Sequence, residues 1–220
     1  YSTGSAIEGL ANYLTVNEAT NTVLISGANL QLVSGEGSTS AVNGTGNIII
    51  GYDEDNQVGN ADRSGSHNLV VGYGHTYSSF GGIVVGYENS ITGHFSSVSG
   101  GSTNTASGLR SSVSGGHGNT AEGSRSSVSG GDYNTASGDF SSVSAGYNNT
   151  ASGYSSSVSG GRVNTASGEM SSVSGGNDNT ASGEFSSVSG GQDNTASGVA
   201  SSVSAGNNNT ASVGSSSVSG

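Results

Sequence analysis

Ser96-Ser97-Val98-Ser99-Gly100-Gly101-Ser102-Thr103-Asn104-Thr105-Ala106-Ser107-Gly108-Leu109-Arg110 is a phrase that the chain repeats, with small changes, as far as Gly220. Its valine returns every fifteen residues, at Val98, Val113, Val128, Val143, Val158, Val173, Val188, Val203 and Val218. Asparagine keeps the same register at Asn104, Asn119, Asn134, Asn149, Asn164 and Asn179 and on to Asn209, each time followed by Thr and Ala. A constant period means that each repeat is one structural unit, which buries its apolar face only by stacking on its neighbours.

Fifteen residues are too few for a helical pair, and Gly, Ser, Asn and Thr are poor helix formers with no 3.6-residue apolar stripe among them. Within the unit the alternation has a period of two. Val98 shares a face with Ser96 and Gly100, Ser97 and Ser99 take the other, and Ala106 points inward from the second segment, as Ala121 and Ala136 do. Two short strands per repeat, with Gly100-Gly101 and Gly108 at corners where positive φ is cheap, predict an all-β chain: a parallel β-solenoid, or β-roll, of about fifteen residues per coil. Successive coils should rise by about 4.8 Å.

Gly, Ser, Asn and Thr in such proportion also describe a disordered linker, but an unbroken period with Val and Ala fixed in register argues for order. The chain has 40 Gly, no Pro, no Cys and no Lys, and its net charge is −11 with only 9% charged residues. Nothing here could neutralise a nucleic-acid backbone, no membrane span is present, and the absence of cysteine excludes a disulfide framework. Because it opens at Tyr1 and stops in mid-repeat, the chain reads as part of a longer protein whose export signal lay elsewhere.

Four segments follow from these patterns. Residues 1–20 carry Ile7, Leu10 and Leu14 at the spacing of a coiled-coil seam, which predicts a short helical stalk remnant. Residues 21–43 hold two strand-like runs, Thr22-Val23-Leu24-Ile25 and Leu30-Gln31-Leu32-Val33, joined by a turn at residues 26–29. Residues 44–95 are a bulkier version of the solenoid, with coils at Ile48-Ile49-Ile50, Leu69-Val70-Val71 and Ile83-Val84-Val85 capping its N-terminal edge and an acidic loop inserted at 53–65. Residues 96–220 are the regular repeat.

Chemistry-bearing groups are sparse. No serine has a nucleophile's setting, the histidines His67, His75, His94 and His117 share no ligand spacing and read as loop or corner residues, and no enzyme is expected. The one cluster of hard oxygen ligands is Asp53, Asp55, Asn56 and Asp62, which could bind Ca²⁺, although a solvated acidic loop is the plainer reading and no other cofactor is expected. The variable pairs between Gly-Gly and Asn read as solvent-facing corners. The opposite corner carries Phe95, Arg110, Arg125, Phe140, Ser155, Met170, Phe185 and Ala200; the row formed by Phe95, Phe140, Met170 and Phe185 suggests an interface between chains. One Val and one Ala per coil make a thin core, so continuous hydrogen-bond ladders and a second surface buried between copies are expected to supply the remaining stability.

The Ile/Val-Val-Gly-Tyr and Ser-Val-Ser-Gly-Gly phrases, with the Asn-Thr-Ala-Ser-Gly partner strand, resemble the head domains of bacterial trimeric autotransporter adhesins over residues 44–220. The resemblance implies a left-handed roll, a homotrimer and a place on the bacterial surface or outside the cell. Its expected partners are further copies of itself, end to end in a filament, and a host, matrix or neighbouring-cell surface. The function expected is that of a rigid, elongated, multivalent scaffold. The alternative is a ligand-binding solenoid, for ice through the outward Thr105–Thr210 rank or for glycans.

Overall fold

The computed structural model describes residues 10–220 and divides the chain into two compact units, Tyr1–Leu32 and Val33–Gly220. In the first unit Leu10–Asn12 forms a single 3₁₀ turn, and Leu14–Asn17 pairs antiparallel with Thr22–Ile25. The helical stalk expected over residues 1–20 is therefore not continued through Leu14; Ile7, its first seam position, lies outside the described residues. One apolar heptad supplies too little to nucleate a helix, whereas the chain has a ready turn between the two strands. Asn17 Oδ1 accepts from the backbone N–H of Ala19 (3.1 Å) and Thr20 (3.3 Å), and Asn21 takes φ of 52°. Strand Thr22–Ile25 thus finds its partner upstream, and the run expected at residues 30–33 forms no strand.

The second unit is a parallel β-solenoid built from two sheets. A valine sheet of twelve strands begins at Ile48–Ile50, Leu69–Tyr73 and Ile83–Tyr87 and continues through the Ser-Val pairs from Ser97–Val98 to Ser217–Val218. An alanine sheet of ten strands runs from Thr76–Tyr77 and Ser90–Ile91 through the Thr-Ala pairs from Thr105–Ala106 to Thr210–Ala211. Every Ser-Val and Thr-Ala strand pairs in parallel with its equivalent fifteen residues away, Val113 with Val98 and Val128, Ala121 with Ala106 and Ala136. The bulkier coils join in the expected register, Ile48 with Leu69 and Leu69 with Ile83. Twelve strands at about 4.8 Å give a stack about 50 Å long.

The core is one file of side chains down the middle: Val70, Val84 and the valines to Val203, facing Tyr77, Ile91 and the alanines to Ala211, each no more than 2% exposed. Each repeat also buries two polar residues. In Ser96 and its equivalents to Ser201 the first serine points inward, and Asn104 and its equivalents head each alanine strand. The corners depart from expectation. Gly101 and its equivalents have positive φ (80° at Gly101), but Gly108 and its equivalents do not; a Cβ on Gly108 would run into the Gly123 carbonyl oxygen of the next coil. Close approach of coils, not backbone handedness, demands glycine there. Gly100 needs neither, and Ala145 and Ala205 stand at its equivalent positions.

Candidate interaction surface

The buried asparagines form a ladder that accounts for every polar group they bring inside. Asn164 Nδ2 donates to the carbonyls of Gly160 (2.9 Å) and of Gly176 in the next coil (3.0 Å), while its Oδ1 accepts from the backbone N–H of Asn179 (3.0 Å). The same pattern runs from Asn89 to Asn194. His75, read from sequence as a loop or corner residue, stands at the head of this ladder, 2% exposed. Its Nδ1 accepts from the Asn89 N–H (3.2 Å), which leaves Nε2 as the protonated nitrogen, 3.0 Å from the Val71 carbonyl. An imidazole replaces the amide because it too offers one acceptor and one donor on opposite sides; its place fourteen residues before Asn89 was the only signal. The inward serines are different: Ser96 Oγ donates to the Gly93 carbonyl (2.8 Å), whereas the hydroxyls from Ser111 to Ser216 have no partner.

The acidic insertion is committed to its own architecture. The Asp53 carboxylate accepts from the Tyr77 hydroxyl (3.0 Å to each oxygen) and lies 3.9 Å from the guanidinium of Arg63, which donates to the Asp53 backbone carbonyl and lies 3.8 Å from Asp55. Asp55 Oδ1 accepts from the N–H groups of Asn56 and Ala61 (2.9 Å each), and Asn56 and Asn60 bond one another. Asp62 accepts from Ser64, a bond that holds its carboxyl below the usual aspartate value. Burial pushes the Tyr77 phenol up to about 12, reinforced by its hydrogen bond to Asp53 and that carboxylate's charge and opposed by Arg63. Asp53, Asp55, Asn56 and Asp62 thus bond to backbone amides, Tyr77, Arg63 and Asn60. Among the described residues no three His, Asp or Glu side chains come together in an arrangement that could hold a metal.

What the solenoid presents outward is two flat faces and two edges. The valine-sheet face shows the rank Ser97, Ser112, Ser127, replaced in the first coils by the apolar Ile48, Leu69 and Ile83; the alanine-sheet face shows the half-buried Thr105 rank beside Ser107 and its equivalents. At the glycine–glycine edge the first variable residue of each pair is not free: Tyr87, Ser102, His117, Asp132 and onward to Asn207 bridge in parallel from coil to coil. This edge carries an aromatic run that sequence reading passed over. Tyr73 stacks on Tyr87 (5.3 Å between centroids), and His117, Tyr133 and Tyr147 meet edge to face. The second residue sits in the left-handed region, often as Asn, Asp or Gly, the types that tolerate it: Gly118, Asn148, Asp178, Asp193 and Asn208.

The serine–glycine edge carries the row singled out from sequence. Phe95, Phe140, Met170 and Phe185 are 42–50% exposed, and the neighbouring positions add Leu109, Tyr154 and Val199. Phe95 packs edge-on against Phe80, and Phe140 against Tyr154. The guanidinium of Arg110 lies 5.9 Å from the Phe95 ring centre and that of Arg125 5.0 Å from Phe140. The structure therefore gathers this row into one continuous exposed strip. No family model matches the chain, and no curated protein sequence matches it.

Proposed function

We propose that this chain is a structural module of an exported bacterial surface adhesin or extracellular fibre. It acts as a stiff spacer that holds rows of side chains at fixed intervals along its edges. The observation that carries the reading is the unbroken register of the stack, in which each coil hands backbone hydrogen bonds to the next and the asparagine ladder ties the coils from inside. A coil of this kind cannot bend or slip without losing buried hydrogen bonds, which suits a load-bearing rod. The left-handed coil sense and the homotrimer of the resembling adhesin heads belong to this proposal. So does a parallel contact through the apolar outer rank Ile48, Leu69 and Ile83, where identical coils of each copy stand at one height.

The test is the native mass by light scattering, with electron micrographs of the same sample. Rods with the mass of three chains support the head-like module. Filaments shift the reading to a self-assembling fibre, and a lone monomer overturns the trimer. A ligand-binding role is favoured by one observation, the Thr105 rank beside a mostly exposed Ser107 rank that Glu122 interrupts; thermal hysteresis in solution would move the reading to ice, and its absence would dismiss that role.

A further inference from the structure

The arginines and glutamates on the serine–glycine edge are sorted along its length. In chain order the eight coils present His94-Phe95, Leu109-Arg110, Ser124-Arg125, Asp139-Phe140, Tyr154-Ser155, Glu169-Met170, Glu184-Phe185 and Val199-Ala200. Both arginines fall in the first half, and Glu169 and Glu184 in the second, while the aromatic pair Phe140 and Tyr154 stands at the middle; the one acid in the first half, Asp139, accepts the backbone N–H of Ser124 in the preceding coil (2.8 Å). All of these are exposed except Ser124 and Ser155, which are half-buried. Arg110 and Arg125 lie over aromatic rings, and among the described residues neither makes an ion pair. The glycine–glycine edge shows no such sorting, its Glu88, His117, Asp132, Arg162, Asp178 and Asp193 being interspersed.

We propose that this edge is a self-complementary surface that binds a second copy of the chain running in the opposite direction. A twofold axis across the edge between the Phe140 and Tyr154 coils matches the eight coils in four pairs. It places Phe140 of each copy against Tyr154 of the other, brings Arg125 to Glu169 and Arg110 to Glu184, and closes both ends with Phe95 against Val199. Each ion pair forms twice, as an isologous contact requires. A parallel arrangement sets arginine against arginine and glutamate against glutamate at the same heights, which the chain's net charge of −11 only worsens. Charge complementarity thus selects orientation, and the aromatic centre supplies the desolvated contact.

Eight coils at about 4.8 Å and a thickness of about 10 Å give an edge of roughly 350 Å² per copy. That is below the roughly 800 Å² per partner of a stable pair. One contact is therefore weak, and many rods held side by side on facing surfaces would bind tightly by multivalency. The contact differs from the parallel trimer face in residues and direction, so the two readings stand or fall separately.

The chain has no cysteine, so single substitutions report orientation cleanly. A mixture of His94→Cys and Val199→Cys should form the 94–199 disulfide on mild oxidation, with His94→Cys alone staying unlinked. A 94–94 disulfide would show a parallel contact and overturn the inference while leaving a trimer in place. The double variants Arg110→Glu/Arg125→Glu and Glu169→Arg/Glu184→Arg should each self-associate at least about tenfold more weakly than the wild type, and their equimolar mixture should recover it. Unchanged melting of each variant confirms folding, since all four side chains are exposed. Association that survives either double variant, or a mixture that fails to recover, would also overturn the proposal.

Discussion

Replacing Asn164 by Ala tests whether the buried ladder holds the coils together. The side chain, 0% exposed, makes four hydrogen bonds: Nδ2 to the Gly160 and Gly176 carbonyls, and Oδ1 from the backbone and side-chain amides of Asn179. Their loss is unequal. Asn179 Nδ2 keeps the carbonyls of Gly175 and Gly191, and the Gly176 carbonyl keeps the Arg162 N–H. The backbone N–H of Asn179 is left buried without an acceptor, at about 1–3 kcal/mol, and the bonds to Gly160 and Gly176 add about 1 kcal/mol each. The expected cost is about 3–5 kcal/mol in urea unfolding followed by circular dichroism. Amide exchange should accelerate at Asn179 more than at Asn119, three coils from the substitution, because coils couple chiefly to their neighbours. A loss under about 1 kcal/mol, or unchanged protection at Asn179, would refute the ladder's role.

Other substitutions probe features that the repeat conceals. Ser141→Ala removes an inward hydroxyl that has no partner and should raise stability by about 1 kcal/mol; destabilisation would mean that the hydroxyl is bonded after all. Gly153→Ala should prevent the stack from closing, because its Cβ would collide with the Gly168 carbonyl oxygen, whereas Gly160→Ala, at the position where Ala145 stands one coil earlier, should leave the melting curve within error. Val163 is a β-branched residue at φ 57°, and Val163→Gly should stabilise by about 1 kcal/mol; no gain would argue that its side chain packs usefully. Tyr77 has its phenol raised from 10.0 to about 12, so its contribution is complete below pH 10 and is lost as the pH rises through about 12; Tyr77→Phe should remove that alkaline step from stability.

The valine and alanine file, the two strands per repeat and the register of residues 44–95 were legible because inward positions at a fixed period must stack on themselves. The corners were not. Gly101 and Gly108 look alike in sequence, and a Cβ on either would run into a carbonyl of the next coil, yet only Gly101 also needs positive φ; the close approach exists only once coils are stacked. His75 was misread because a lone imidazole breaks the asparagine pattern while preserving its donor and acceptor geometry. The partners of Asp53, Asp55, Asn56 and Asp62 were not legible, because Arg63, Tyr77 and the amides of the same loop reach them only once the loop is folded against the stack. The N-terminal seam is interrupted for a simpler reason, since Leu14, its last position, pairs with Ile25 as readily as it would continue a helix.

Backbone strain gives the serine–glycine edge a meaning beyond its charge pattern. Phe95, Arg110, Arg125, Phe140, Met170 and Phe185 all sit at φ of 52–58°, a conformation costing an L-residue roughly 1–2 kcal/mol. At the other edge the corresponding left-handed position is often filled by Gly118, Asn148, Asp178, Asp193 or Asn208, which adopt it at little cost. Both corners would be cheaper with Asn or Gly throughout, yet only one uses large aromatic, aliphatic and cationic side chains coil after coil. Burial within one chain can offset that strain, but the Phe and Met side chains of the row stay 42–50% exposed, so about half of each remains in water. A left-handed corner does project its side chain away from the stack, and a partner lying along the edge would bury what the single chain leaves in water. The strain then becomes part of the cost of presenting a contact surface whose remaining exposed half only a second copy would cover.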